Sequence, residues 1–374
     1  MENSRMGYID VMRAMAILVV VAVHSSQCFG AFGIAAIDHA FGYGMYGVQL
    51  FFIASAFTLF LSYDRRKDEH YPVFNFYLRR FFRIVPLYYL GMVYYWFQNE
   101  SYGGSIWEIV ANVLFINEMN PYWVNPIVPG GWSVAVEMTF YCFVPWLFAK
   151  IDRLQKGVTA LIIAVFGNAL LHFIMVQLPV HTHPKWYWGW FLYSWPPSQL
   201  PVFFMGVLMY FILVKNESLK SVRPWQWILI AGMLLVNAMF ELHLVFYPHI
   251  VFAFFFLVLG IGMARAMELL PVKAGWMQKT VVRLMMKIGK ISYSMYLIHF
   301  AVLYWMVKYG IVPRFETHSI LNYVLWYLMV TAVSMVLAVV TYRFVEKPFV
   351  RLGKTIIARR EQQYATRQCL QGCE

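Results

Sequence analysis

Runs of apolar residues long enough to cross a bilayer recur along this 374-residue chain, and nothing else constrains its fold as much. Backbone polar groups in hydrocarbon must pair within their own segment, so such a chain reads as a bundle of helices. The runs fall at 11–31, 46–63, 83–98, 132–149, 158–178, 199–214, 225–241, 249–266, 291–309 and 320–342. The expected fold class is an all-α integral membrane protein, a bundle of about ten transmembrane helices. The third and ninth runs are the weakest, being short or broken by polar residues. Only 13% of residues are charged, against roughly 25% in a soluble domain.

Charge sets the orientation. With the N-terminus inside, every Lys and Arg except Lys185, Lys308 and Arg314 falls on the cytoplasmic side. This is the positive-inside pattern, and it predicts that both termini are cytoplasmic. The net charge of +12 then reports topology and anionic lipid, not nucleic acid. Arg5, Arg13 and the apolar stretch after them have the outline of a signal peptide. Ser25 to Cys28 is polar where a small-residue cleavage site would stand, so the segment is read as a retained span. The expected organisation is one transmembrane domain over 1–350 and a short cytoplasmic tail over 351–374, charged and only partly ordered. The longest outer connection, 99–131, holds Glu100, Glu108 and Glu118 with no Lys or Arg, and a short interfacial helix is expected from Ile106 to Phe115.

Ionisable residues inside spans are costly, so each is a candidate for function. Arg13 and His24 share the first span and stand eleven residues apart. At about 100° and 1.5 Å per residue they return to nearly one face, about 16 Å apart along the axis. Small residues at Ala54, Ser55 and Ala56 would let another helix approach the second span closely. Arg80 and Arg83 stand three apart on one helix face, at the expected cytoplasmic boundary and at the depth of Arg13. Two readings stay open for them: positive-inside anchoring, or an anion site in which guanidinium forks meet phosphate oxygens. Glu137 is the one charge in the upper part of the fourth span and needs a partner or a proton. The ninth run carries Ser292, Tyr293, Tyr296 and His299 on one helix. Near the end of the tenth, Glu346 between Arg343 and Lys347 reads as an interfacial ion network, with Pro348 ending the helix. His181, His183, Trp186, Trp188 and Trp190 form an aromatic outer segment, read as a headgroup belt or as faces for sugar rings. No metal is expected: His181 and His183 lack a third ligand, and Cys369 and Cys373 lack two more.

Six motifs in chain order resemble the membrane acyltransferase-3 family, bacterial enzymes that O-acylate extracytoplasmic glycans. They are ID-x-x-R-x10-H at Asp10, Arg13 and His24; GV-x-LFF-x-x-S ending at Ser55; R-x-x-RI-x-P from Arg80 to Pro86; WS-x-x-x-E-x-x-FY from Trp132 to Tyr141; SYSMYLIH ending at His299; and YRFVEKPF from Tyr342. Ala56 stands where the family has glycine, and Met138 where a second acidic residue is frequent. The resemblance implies transfer of an acyl group, usually acetyl, from cytoplasmic acyl-CoA to a hydroxyl of an extracytoplasmic or lipid-linked glycan such as O-antigen, capsule or exopolysaccharide. It implies a bacterial inner-membrane location and acetyl-CoA or another short acyl-CoA as donor. His24 would be the central catalytic residue, as a general base or as a transient acyl carrier. Arg13, Arg80 and Arg83 would hold the coenzyme phosphates. Glu137 would orient or exchange a proton near the outer mouth. Asp10, Ser55, Trp132, Tyr293 and His299 would support them. Some family members are fused to a soluble esterase-like domain; a stand-alone transferase is expected here. The competing class is a transporter or flippase of a lipid-linked saccharide, which also suits intramembrane charges. The chain shows no internal repeat of the kind many transporters carry.

Overall fold

The computed structural model describes residues 7–29, 46–98, 105–124, 127–178, 186–219, 222–223, 225–226, 229, 248–273, 276–311 and 319–371. The described residues are helical and contain no strand. In order the helices are α1 (Gly7–Phe29), α2 (Gly47–Asp64), α3 (Pro72–Gln98), α4 (Ile106–Leu114), α5 (Gly131–Lys150), α6 (Leu154–Gln177) and α7 (Trp186–Ser194). They continue as α8 (Pro196–Leu213), α9 (Pro248–Lys273), α10 (Trp276–Lys290), α11 (Ser292–Lys308), α12 (Ser319–Thr341) and α13 (Lys347–Gln371). Seven segments among the described residues are long and apolar enough to cross a membrane. The expected span at 225–241 lies almost wholly outside the described residues, as do His181, His183 and Cys373. The expected third and ninth spans are helices but are not among the seven. Within α3 lie Arg79, Arg80 and Arg83, and α11 is only 17 residues long.

Polarity is inverted relative to a soluble protein. On α6, Ile163, Leu170, Phe173 and Ile174 face outward, as do Leu328, Val336 and Val340 on α12, while Gln49, Asn75, Gln199 and His299 are buried. So much continuous exposed apolar surface suits lipid, not water. At the centre α2 packs against α8. A Cβ at Gly206 would stand 2.4 Å from the Ile53 carbonyl oxygen, and Ala54 and Ala56 are fully buried beside it. Small residues thus do bring a neighbour close, as the sequence predicts. Gln49 fastens the same pair, donating to Gln199 Oε1 at 2.9 Å and to the Tyr193 hydroxyl at 3.1 Å. On the other flank Gly289 of α10 lets the Asp10 backbone of α1 into contact, since a Cβ there would fall 1.8 Å from the Asp10 oxygen.

The short helix expected after residue 105 forms as α4. The Ser105 side chain accepts from the Trp107 amide at 3.2 Å, and Phe115 ends the helix in the left-handed region at φ 56°. Two expectations near the C-terminus need correction. Pro348 does not end the helix. Residues Tyr342–Glu346 form a π-helical turn, and α13 continues from Lys347 to Gln371. A wider turn accommodates the N–H that Pro348 lacks, and it rotates Glu346 inward. Residues 351–371 are therefore helix, in place of the expected partly ordered tail. This helix packs along the start of α3, where Glu361 accepts from the backbone amides of His70 and Tyr71 and from Asn75 Nδ2 at 2.7 Å. A carboxylate there satisfies donors that a helix N-terminus leaves open.

Between α4 and α5, Glu118 is fully buried in a one-turn 3-10 helix, with no side-chain partner for its carboxyl among the described residues. Burial pushes its pKa well above the ordinary 4.5. Its contribution to stability is fully present below pH 4.5 and is lost as pH rises through the shifted value. Glu118→Gln is expected to flatten that decline, read as the melting temperature of detergent-solubilised protein across acidic to neutral pH. An unchanged pH dependence would contradict it.

Candidate active site

Helices α1, α2, α3, α5 and α11 converge on a cavity of about 70 Å³, room for a few waters or one small polar group. Its lining includes Arg13, Arg80 and Arg83, so the three arginines that the sequence sets at one depth do meet. Arg13 Nη2 donates to Thr58 Oγ1 at 3.0 Å. Arg80 lies over the rings of Phe76 at 5.6 Å and Tyr141 at 5.7 Å, and its buried Nε has no acceptor. Among the described residues no carboxylate lies within 4.0 Å of any of the three guanidinium groups.

Glu137 and Ser55 line the same cavity. Glu137 Oε1 accepts from the Ser55 hydroxyl and from the Tyr141 hydroxyl, the latter at 2.6 Å. The carboxylate thus shares a cavity with the arginines and lies within electrostatic reach of all three. Two further groups, which the sequence motifs do not assign to the site, bear on it: Tyr141 in the lining and Glu346 just outside it. Tyr141 is one, at i+4 from Glu137 on the same face of α5. Glu346 is the other. It is buried, accepts from Ser294 Oγ at 3.0 Å, and has Arg83 as its principal electrostatic partner. Arg343 and Lys347 are exposed, so the interfacial network expected around Glu346 is replaced by an inward carboxylate. Asp10 does not line the cavity. Its carboxylate is within electrostatic reach of Arg13, Lys290 and Arg83.

Helix α11 joins this cavity to a second cluster. Its Ser292, Tyr293 and Tyr296 line the cavity, and Tyr293 donates to the Ile84 carbonyl at 2.8 Å, just past the arginines of α3. One turn further on, His299 meets His24 with ring centroids 5.4 Å apart, and Phe300 lies 4.5 Å from His24. His24 Nδ1 lies 2.9 Å from Gln27 Oε1. His24 is not among the residues lining the arginine cavity; it sits about 16 Å further along α1 than Arg13. Trp132 is buried edge-on against Phe52 and Trp190, and it does not line the arginine cavity either. Trp188 stacks on Phe191, with ring centroids 5.4 Å apart.

The chain direction before α5 explains the paired glycines. Gly130 has φ +73°, and a Cβ there would stand 2.8 Å from the Tyr296 hydroxyl. That hydroxyl in turn bonds Ser133 Oγ at 2.8 Å and the Gly130 carbonyl at 3.1 Å. Only glycine allows both the left-handed turn and the close approach.

With this geometry in view, the comparisons with known proteins agree on a class. The acyltransferase domain family grouped as acyltransferase 3 matches residues 6–343. The chain belongs to the acyltransferase-3 family. It is also 25% identical over 187 residues to a protein of Acidianus two-tailed virus named "Putative acetyltransferase ORF330", covering 48% of this chain. The chain spans about half (51%) of that curated relative's length. No solved structure matches. The molecule is thus a helical membrane protein of an acyltransferase family.

Gly130→Ala is expected to lower the melting temperature, corresponding to a loss of about 1–3 kcal/mol from overpacking and left-handed strain. Gly167→Ala, with nothing within 4 Å of its Cβ position, serves as control and should leave stability unchanged or slightly raised. Equal behaviour of the two variants would contradict the Tyr296 contact.

Proposed function

We propose that this protein is an O-acyltransferase that moves a short acyl group, in the first instance acetyl, from cytoplasmic acyl-CoA to a hydroxyl of an extracytoplasmic or lipid-linked glycan. The observation that carries the reading is the trio of half-buried guanidinium groups sharing one cavity with no carboxylate in ion-pair contact among the described residues. Charges left this way in an apolar bundle favour an anionic ligand. The orphaned Arg80 Nε is a donor still available to it. Arg13, Arg80 and Arg83 are the residues to hold a phosphate group of the donor. The cavity has room for one such group, so the remainder of the coenzyme belongs outside it.

When bound, acyl-CoA supplies an activated thioester. The chain's own part is to bind and orient it, and to manage a proton. In this reading the arginines face the cytoplasm, and the C-terminal part of α1 carries His24 toward the outer leaflet. The separation of about 16 Å along α1 suits an extended pantetheine arm. Either His24 takes the proton of the acceptor hydroxyl as its oxygen attacks the thioester carbonyl, or His24 attacks that carbonyl itself and then yields the acyl group to the hydroxyl oxygen. In both cases the C–S bond breaks and coenzyme A leaves as the thiol, with the hydroxyl proton ending on its sulfur. Glu137, held by Ser55 and Tyr141, offsets the arginine charge at the donor end. This is an electrostatic role at the donor end.

The test is transfer of label from radiolabelled acetyl-CoA into polysaccharide by membranes carrying the protein. His24→Ala is expected to lower turnover at least about a hundredfold with insertion intact. Arg83→Ala is expected to raise the apparent KM for acetyl-CoA roughly tenfold or more, the effect of one lost charge-assisted hydrogen bond. Full activity in His24→Ala would overturn the catalytic assignment, and an unchanged KM would remove Arg83 from the donor site. Movement of a lipid-linked saccharide with no acyl transfer would replace the reading with a transporter.

A further inference from the structure

The acyl-transfer reading leaves open which nitrogen of His24 reacts, and the geometry points to Gln27 as the positioning residue that decides it. Gln27 stands three residues beyond His24 on α1, where the two side chains share a face. Its Oε1 lies 2.9 Å from His24 Nδ1. An amide oxygen only accepts, so Nδ1 carries the proton and donates, and the lone pair is left on Nε2. The proposal rests on acyl transfer as the function: Nε2 is the atom that takes the acceptor's hydroxyl proton or the acyl group.

An amide differs from a carboxylate in this position. A carboxylate would raise the imidazole pKa and leave less of the ring in its neutral, basic form toward acid pH. A neutral acceptor fixes the tautomer and the ring plane while leaving the ring neutral. The ring plane has further supports in Phe300 and His299 of α11, at centroid distances of 4.5 and 5.4 Å. The backbone beneath it is pinned from α12, where Tyr323 and Trp326 donate to the carbonyls of Ala22 and Ser25 at 2.8 and 3.2 Å. The titratable groups around His24 among the described residues are therefore His299 on α11, Tyr323 and Tyr327 on α12, and Cys28 on α1 itself. None of them changes in the variants below, so a shifted pH profile reports on position 27.

The experiment pairs a direct readout with a kinetic one on the full-length protein in bilayers. Solid-state NMR of nitrogen-labelled histidine gives the tautomer, with the His24 signal identified by its loss in His24→Asn. Wild type is expected to show Nδ1 protonated and Nε2 bare, and Gln27→Leu to lose that preference. With acetyl-CoA as donor, Gln27→Leu is expected to lower kcat at least roughly tenfold with the KM for acetyl-CoA unchanged, since orientation and not donor binding is lost. Gln27→Glu is expected to recover much of that activity, with the acid limb of the pH–rate profile moved to higher pH, because a carboxylate raises the pKa of its imidazole partner. Wild-type tautomer and wild-type kcat in Gln27→Leu would overturn the proposal. Loss of the tautomer in Gln27→Leu, in a preparation whose wild type transfers no acetyl, would leave the positioning intact and overturn the acyl-transfer reading instead.

Discussion

Three guanidinium groups gathered inside an apolar bundle are the constraint on which the rest of this structure depends. Each would be expensive alone in hydrocarbon. They are tolerated because the surrounding helices supply polar groups at graded distances. Thr58 accepts from Arg13, and aromatic faces of Phe76 and Tyr141 lie beside Arg80. Glu137 and Glu346 act on Arg83 through the field instead of by contact. That arrangement moderates the charge without neutralising it at close range, which keeps the cavity receptive to an anion. A direct ion pair would be stronger locally and would close the site.

Bringing five helices to one cavity requires backbones to approach closely, and small residues make the approach possible. Gly206 against Ile53 and Gly289 against Asp10 set α8 and α10 onto the helices that carry Ser55 and Arg13. Gly130 lets the chain turn into α5 under the Tyr296 hydroxyl. The tail helix α13 contributes from outside the core, with Glu361 bonded to the first turn of the arginine helix α3. The donor end of the proposed site is thus braced at both ends of α3's arginine-bearing stretch, by α13 below and by Tyr293 on Ile84 above.

Much of this architecture is legible in the amino-acid sequence, and for definite reasons. Span length follows from bilayer thickness, so the helical class can be read directly. Arg13 and His24 share a helix, so their relative direction and separation follow from helical geometry alone. The meeting of Arg80 and Arg83 with Arg13 follows from common depth. Glu137 is harder. Its depth is readable, but which neighbour it meets depends on how α5 is rotated against α1 and α2, and no periodicity encodes that. The inward position of Glu346 is hidden because a π-helical turn shifts the register of everything after Tyr342. The Glu137–Tyr141 spacing of four is a signal sufficient to place Tyr141 in the site. His299 beside His24 joins two segments 275 positions apart, beyond any local pattern.

The most direct test of the central claim is mass spectrometry of surface polysaccharide from cells with the protein, without it, and with His24→Ala in its place. The account predicts an acyl increment, acetyl in the first instance, that is present with the intact protein and absent in the other two. Identical acylation in all three, or loss of the polymer itself without any acyl difference, would contradict it.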